Sequence, residues 1–492
     1  MLTGAIHIKE RWFAAASFSV LFLTILAVTL TGSYYFLAVP FAYLYLVLVG
    51  INWKTAYWIF LFTIPPSIQL YFAGDTLSMT LPDLPMMWLF LGLFVVMYAR
   101  DPKVIPEWWW RNPLVMIVIL QFLWTIVSVI FSKMVFYSVK FLLVKTWLLV
   151  AFFVFPIWIF QEKKDFVKGF FVLLVPITIT IVIILVHHSM YNFAFHKIQR
   201  AITQLYYNHV DYSTVISQFF PLLLVSCWPL IRKRHVFIKL AFAVVVAIFV
   251  LGIGFAYARA AVVAVVFAIV IGVAIRMRLV NLVMPAFYAL IILLLSLAAD
   301  NNRYIDYRPN FEHTFMRRNF TDHIIATFRG TDMSSMERLY RWIAAVRMSK
   351  DRPLTGYGPR SFYFYYKPYA VTSFRTYVSR NTEQSTSHNY FLYMLTEQGW
   401  PAMILYAILM VVIFAQAQKI YHRFKDKFYR CVTVGLAMTI AAGFINNFFS
   451  ELIETHKVAA LFYIPLVMLV ILDKKSRDEQ KAIAEGKELA KF

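Results

Sequence analysis

Apolar runs of about 20 residues follow one another along almost the whole chain, each long enough to cross a hydrocarbon core of about 30 Å as a helix. They centre on 12–31, 34–51, 55–73, 84–99, 113–131, 138–160, 167–188, 212–231, 236–255, 258–275, 279–299, 388–417, 431–450 and 456–472, which predicts about fourteen spans. The short alternating strands of a membrane barrel are not visible. The expected fold class is an all-α polytopic transmembrane bundle. One polar segment, 300–387, is too long for a simple connector. The chain thus divides into N-terminal spans (1–211), central spans (212–299), this large loop (300–387), C-terminal spans (388–472) and a basic tail (473–492).

Composition agrees: 61% of the 492 residues are hydrophobic, against roughly half in soluble domains. The start, from Lys9 and Arg11 through Leu30, has the order of a signal peptide. Its apolar part is too long and lacks a small-residue cleavage site, so an uncleaved first helix is expected. The two cysteines, Cys227 and Cys431, each lie in or beside an apolar run and imply neither a disulfide framework nor a zinc site.

The net charge of +22 does not indicate a nucleic-acid partner, because the cations sit in short clusters between spans rather than on one continuous face. Alternate connections carry them: Lys54; Arg100, Lys103 and Arg111; Lys163, Lys164 and Lys168; Arg232, Lys233 and Arg234; Arg276 and Arg278; Lys419 through Arg430; and the tail with Lys474, Lys475 and Arg477. The positive-inside rule then puts both termini in the cytoplasm and 300–387 outside. Trp108, Trp109 and Trp110 beside Arg111 fit an interfacial anchor. Lys140 and Lys145 fall inside a span near its outer end, where they either snorkel outwards or meet an anionic lipid head.

The outer loop prefers arginine. It holds Arg303, Arg308, Arg317, Arg318, Arg329, Arg338, Arg341, Arg347, Arg352, Arg360, Arg375 and Arg380, but only Lys350 and Lys367. Arginine is the better partner for phosphate or carboxylate oxygens. Within the loop, 334–350 reads as one helix, opened by a Ser334/Glu337 capping box. Met336, Leu339, Ile343 and Val346 share its apolar face, with Arg338 and Arg341 adjacent on the other side. Pro353 ends it and Gly356-Tyr357-Gly358-Pro359 forms a turn. An amphipathic helix holding two guanidiniums above the bundle is expected.

Two further residues point to chemistry. Arg259 stands between two spans on the outer side, at a helix start where its charge opposes the macrodipole, a poor structural choice and a good anion ligand. His388 opens the run Ser387-His388-Asn389-Tyr390-Phe391, with Ser387 as N-cap. A helix N-terminus disfavours imidazolium and keeps the neutral base available. Glu397 lies on the same helix about 13 Å deeper, where a carboxyl must be paired or protonated, and holds the bundle by a hydrogen bond. His187, His188 and His209 lack metal-ligand spacing, so no catalytic metal is expected. Neither a Walker motif nor a Rossmann fingerprint is present, and no cofactor is implied.

These residues resemble the O-antigen ligase and polymerase family of bacterial envelope proteins. The run His388-Asn389-x-Phe391-Leu392-x-x-Leu395-x-Glu397-x-Gly399 is similar to the family signature. So is Ser335-x-x-Arg338-Leu339-x-x-Trp342 continuing to Pro353-x-x-Gly356-x-Gly358-x-x-x-Phe362, with Met336-Glu337 replacing the usual glycine. Arg259-Ala260-Ala261 is similar to the family's S-R-G-A helix start, with Ala258 and Ala260 in place of serine and glycine. The likeness covers about 210–470. It implies a GT-C-type fold in a bacterial inner membrane. It also implies metal-independent, inverting transfer of a glycan from a polyprenyl diphosphate, on the periplasmic side, to a glycan, lipid A–core or protein. By position it assigns His388 as the catalytic base, and Arg259 and Arg338 as holders of the donor diphosphate. Arg341 joins them as the neighbour of Arg338, with Asn389 and Glu397 in support. A transporter or flippase of a lipid-linked oligosaccharide is the alternative, and a scaffold subunit the third.

Overall fold

The computed structural model describes residues 10–72, 77–202, 204–231, 234–301, 304, 333–374, 379 and 386–485. The loop arginines Arg303, Arg308, Arg317, Arg318, Arg329, Arg375 and Arg380 lie outside the described residues, as do Lys9, Arg232 and Lys233.

The expected helical bundle is what the chain forms. In order the long helices are α1 (Glu10–Thr31), α2 (Ala38–Thr63), α3 (Asp83–Arg100), α4 (Pro113–Ile130) and α5 (Val135–Leu149). Then come α6 (Lys163–Ser189), α7 (His209–Ile231), α8 (Val236–Phe255), α9 (Arg259–Met277) and α10 (Val280–Ala299). After the loop helix α11 (Met333–Asp351) follow α12 (Tyr390–Arg423), α13 (Lys427–Phe448) and α14 (His456–Ala484). Twelve helical segments among the described residues are long and apolar enough to cross a membrane. The apolar run drawn over 55–73 ends early. Its second part forms strand β1 (Ile68–Phe72), which pairs antiparallel with β2 (Leu77–Leu81). Asn52 breaks α2, and its side chain caps Thr55 N at 3.1 Å. Tyr45 then reaches the Ala56 carbonyl at 3.0 Å, although a straight helix would hold these residues about 16 Å apart, so the chain folds back here.

The bundle is graded from centre to edge. In α14, 94% of the apolar window is buried by other helices, whereas in α1 and α10 the figure is 6%. A helix apolar all round belongs in a core or in lipid; here α13 and α14 take the core, while α1, α2, α8 and α10 turn their apolar surface outwards. Trp109 likewise packs inside, on Phe153, and of the three tryptophans only Trp110 is exposed, which narrows the expected anchor.

The expected continuous helix after His388 is interrupted. Gly399 adopts φ 82°, a left-handed conformation inside α12. Breaking a helix within a membrane frees backbone groups that cost several kcal/mol each if left unpaired. The loop segment 353–362 supplies the partners. Tyr357 N donates to Thr396 O and Gly358 N to Glu397 O, both at 2.9 Å, and Trp400 N donates to Pro353 O at 2.8 Å. Trp124 Nε1 takes the Gln398 carbonyl at 2.8 Å. The Glu397 side chain completes the joint, accepting from Arg360 N at 2.6 Å and Phe362 N at 3.2 Å. Glu397 thus clamps the loop onto its own helix.

The fit leaves no room for a side chain. A Cβ at Gly399 would stand 1.9 Å from Leu354 O, and one at Gly356 would stand 2.4 Å from the Glu397 carbonyl carbon. Gly399→Ala is therefore expected to cost about 2–4 kcal/mol through strain and lost loop contacts. The check is the thermal midpoint of the purified protein. An unchanged midpoint would show that the joint is slack.

Candidate active site

The joint delivers α11 to the mouth of the bundle, and α11 sets the chain that leads to His388. Arg341 Nη1 donates to Thr386 O at 3.3 Å, and Trp342 Nε1 donates to Ser387 O at 2.9 Å. The buried face of α11 is Met336, Tyr340, Ala344 and Met348 with Glu337 and Arg341, not the expected stripe ending at Val346, which is exposed. Small and aromatic side chains let the helix lie close on its support. Arg341 is consequently buried, 3.6 Å from Glu337, instead of standing free above the mouth. Ser334 sits inside the helix, and Glu337 accepts from Ser379 at 2.5 Å, so these two do not form the expected capping box.

His388 itself has φ 51°. A non-glycine residue there costs about 1–2 kcal/mol and persists only where its surroundings hold it. The cap of α12 is Asn389, not Ser387: its Oδ1 accepts from Leu392 N at 3.0 Å. Its Nδ2 donates to Phe448 O at 2.9 Å, tying the start of α12 to the end of α13. That second bond brings in a residue unremarked in the sequence. Glu451, three residues past α13, places Oε2 3.8 Å from His388 Nδ1. The imidazole remains about one-third exposed, at 32%.

The charges around this pair are uneven. Enclosure first, and then the Arg341 and Arg338 guanidiniums, hold the His388 pKa down to about 3. Burial raises the Glu451 carboxyl above its usual range, against the hydrogen bond from Thr386 and the opposing pull of Arg360, Arg341 and Arg338. So the structure brings His388, Arg338, Arg341 and Glu451 into one electrostatic neighbourhood, and Arg338 is also felt by His209 at the start of α7. Arg259, half-buried, opens α9. The preceding turn is fixed by Tyr257, whose φ is 55° and whose hydroxyl donates to Phe193 O at 2.6 Å. Because α7 and α9 run in the same direction and pack together, Arg259 lies at the same end of the bundle as His209.

The linker 450–457 does more than connect α13 to α14. Glu454 pairs with Lys145 at 2.8 Å and accepts from Tyr390 at 2.5 Å. Lys145 therefore neither snorkels nor meets a lipid head: it is buried against this carboxylate. Thr455 donates to Asp211 at 3.4 Å, and His456 meets Asp83 at 3.0 Å. Lys457 donates to the carbonyls of Pro65, Ser67 and Leu205. One short segment ties α3, α5, α7, α12 and the strand pair around Glu451. Its density of charged residues between two apolar spans was the available sequence signal.

Residues 242–407 match the family model described as O-antigen ligase. This agrees with the resemblance read from the motifs, and the matched segment contains Arg259, α11, the loop joint and His388. The chain is a multi-pass membrane protein, and its matched segment is similar to O-antigen ligases, a family of glycan-ligating membrane enzymes. No curated protein matches the chain.

Asn389 separates two contributions. Asn389→Asp keeps the capping oxygen and loses the bond to Phe448 O, whereas Asn389→Ala loses both. A cap is worth about 1 kcal/mol. Thermal unfolding should rank wild type above Asp and Asp above Ala; equal stability of all three would remove the bridge between α12 and α13.

Proposed function

We propose that the protein transfers a glycan from a polyprenyl-diphosphate donor to an acceptor hydroxyl, at the periplasmic face of a bacterial inner membrane. The observation that carries this reading is the His388 imidazole, about one-third exposed, beside Glu451 and in the field of Arg338 and Arg341. A carrier or flippase needs the guanidiniums but has no use for a positioned base.

In the proposed step, Glu451 keeps the imidazole proton on Nδ1 and leaves Nε2 as the lone pair. The acceptor O–H gives its proton to Nε2 while its oxygen attacks the anomeric carbon. The bond from that carbon to the phosphate oxygen breaks, the polyprenyl diphosphate departs with the electron pair, and the configuration inverts. Arg338 and Arg259 stabilise the charge that develops on the leaving group. Arg341, held by Glu337 and Thr386 O, adds to the same field and keeps residues 386–388 in place. Asn389 and Glu397 act at one remove, through the helix cap and the loop joint.

His388→Ala should abolish transfer in a lipid-linked glycan assay while the protein still inserts; wild-type turnover would remove the base. Arg338→Lys should lose most activity although it keeps the charge, because an ammonium cannot bind two phosphate oxygens in a fork. Full activity would make Arg338 a surface charge only.

A pH experiment follows from the field around His388. The neutral imidazole is the active form, and in the free enzyme it persists down to about pH 3. kcat/KM should therefore stay flat through mildly acidic pH. A bound diphosphate cancels part of the arginine field and makes the imidazole more basic. The acid limb of kcat should then lie at higher pH than that of kcat/KM. Coincident limbs would separate the diphosphate from this imidazole.

A further inference from the structure

The apolar core of the bundle is in two parts, and a cavity lies where they meet. Phe166 and Leu436 belong to one part, Phe170 and Leu461 to the other, and all four line a space of about 100 Å³ between α6, α7, α13 and α14. Protein interiors are close-packed, and voids larger than a water molecule are few. The walls are apolar apart from Ser226, Cys431 and Thr439. Cys431 Sγ donates to Val225 O at 3.2 Å and Thr439 Oγ1 to Gly435 O at 3.1 Å, so both are already paired. A water needs about two to four polar partners, and an apolar cavity of this kind stays dry and takes an apolar guest.

The cavity has an open flank and a definite depth. Val167, Leu222, Ser226, Cys431 and Val432 on its walls are only half-buried, so it opens on the side of the bundle between α6, α7 and α13. Along α13 the wall runs from Phe428 to Thr439, about 16 Å. That is close to half of a hydrocarbon core of about 30 Å, the depth of one leaflet. The wall starts at the end of α13 opposite to Phe448, which Asn389 ties to the start of α12. Phe428 and Phe448 stand about 30 Å apart along the helix. The cavity therefore belongs to the leaflet away from His388.

Charge at its shallow end is mostly spent. Tyr429, whose ring lies against Phe166 and Phe428, has Lys163 Nζ 5.4 Å and Lys475 Nζ 6.0 Å from its centre. Lys163 pairs with Asp426 at 2.5 Å, Lys164 with Glu162 at 2.8 Å and Lys474 with Asp478 at 2.5 Å. Lys475 forms no ion pair among the described residues. We propose that the cavity takes an acyl chain of a membrane phospholipid from the leaflet opposite His388, with the lipid phosphate at Lys475. The chain gains little by leaving bulk lipid, which is equally apolar. It gains dispersion contact with walls that otherwise face a void, and the phosphate adds a charge-assisted hydrogen bond. The bound lipid joins the two parts of the core. This requires only that the bundle span a membrane, and not the transfer chemistry above.

The test uses the purified full-length protein, stripped of lipid in detergent, and a phosphatidylglycerol with a photoreactive diazirine in one acyl chain. Labels mapped by mass spectrometry should fall on the cavity walls of α6, α7 and α13. Ser226→Leu, which fills the space from α7, should weaken binding about 10-fold. Lys475→Gln should weaken it about 3- to 10-fold. Added phosphatidylglycerol should raise the thermal midpoint of the wild type and leave that of Ser226→Leu unchanged. If Ser226→Leu lowers the lipid-free midpoint, Val432→Phe, which fills the space from α13, carries the comparison. Equal labelling of the filled variant and the wild type overturns the site, and so does labelling spread evenly over all the helices. A diacylglycerol with the same chains that binds as tightly overturns the phosphate contact. A polyprenyl phosphate that displaces the phospholipid at equal concentration overturns the acyl chain as the occupant.

Discussion

The loop segment 353–362 threads into the break of α12, and this backbone joint is what the rest of the site depends on. A helix cannot stop inside hydrocarbon unless something else satisfies its carbonyls and N–H groups. Here Thr396 and Glu397 give their carbonyls to Tyr357 and Gly358, and Pro353 receives Trp400 N. The same loop is gripped from its other side: Lys133 N donates to Tyr357 O at 3.1 Å and Ser138 to Pro359 O at 2.8 Å. Three glycines make the approach possible, since a Cβ on Gly356, Gly358 or Gly399 would fall within 2.4 Å of a neighbouring atom. With its far end fixed, α11 can brace residues 386 and 387 through Arg341 and Trp342.

The polar groups at the mouth follow a consistent logic. Those that hold structure are paired, such as Lys145 with Glu454 and Glu397 with two N–H groups. Burying a charge is tolerable only with a partner. His388 remains open: about a third of its imidazole is exposed, beside Glu451, and its backbone is left-handed. A strained residue carrying an accessible imidazole is what the transferase reading draws upon.

The motif residues divide into two physical kinds, which their spacing along the chain does not reveal. Pro353, Gly356, Gly358, Glu397 and Gly399 form the joint, and the sequence offered them only as a turn and a deeper ionisable group. His388 and Arg338 share one electrostatic neighbourhood with Glu451. Glu451 was hidden because charged residues crowd its short connector without a periodicity or spacing that sets one of them apart. The apolar stripe on α11 misled for a related reason: Val346 is apolar but exposed, while Arg341 is buried because Glu337 pairs with it.

The bare sequence determined the helical bundle and the helix within the long polar segment, and it offered an imidazole and several arginines as candidates for chemistry. Apolar run length and side-chain charge are local properties, and the bilayer's dimensions convert them directly into structure. Tertiary structure alone decided where α12 breaks, which residue caps it, which carboxylate meets His388 and which cations are spent in pairs. Each of those outcomes depends on groups far apart in sequence competing for the same hydrogen bonds, and that competition is settled only when the helices pack.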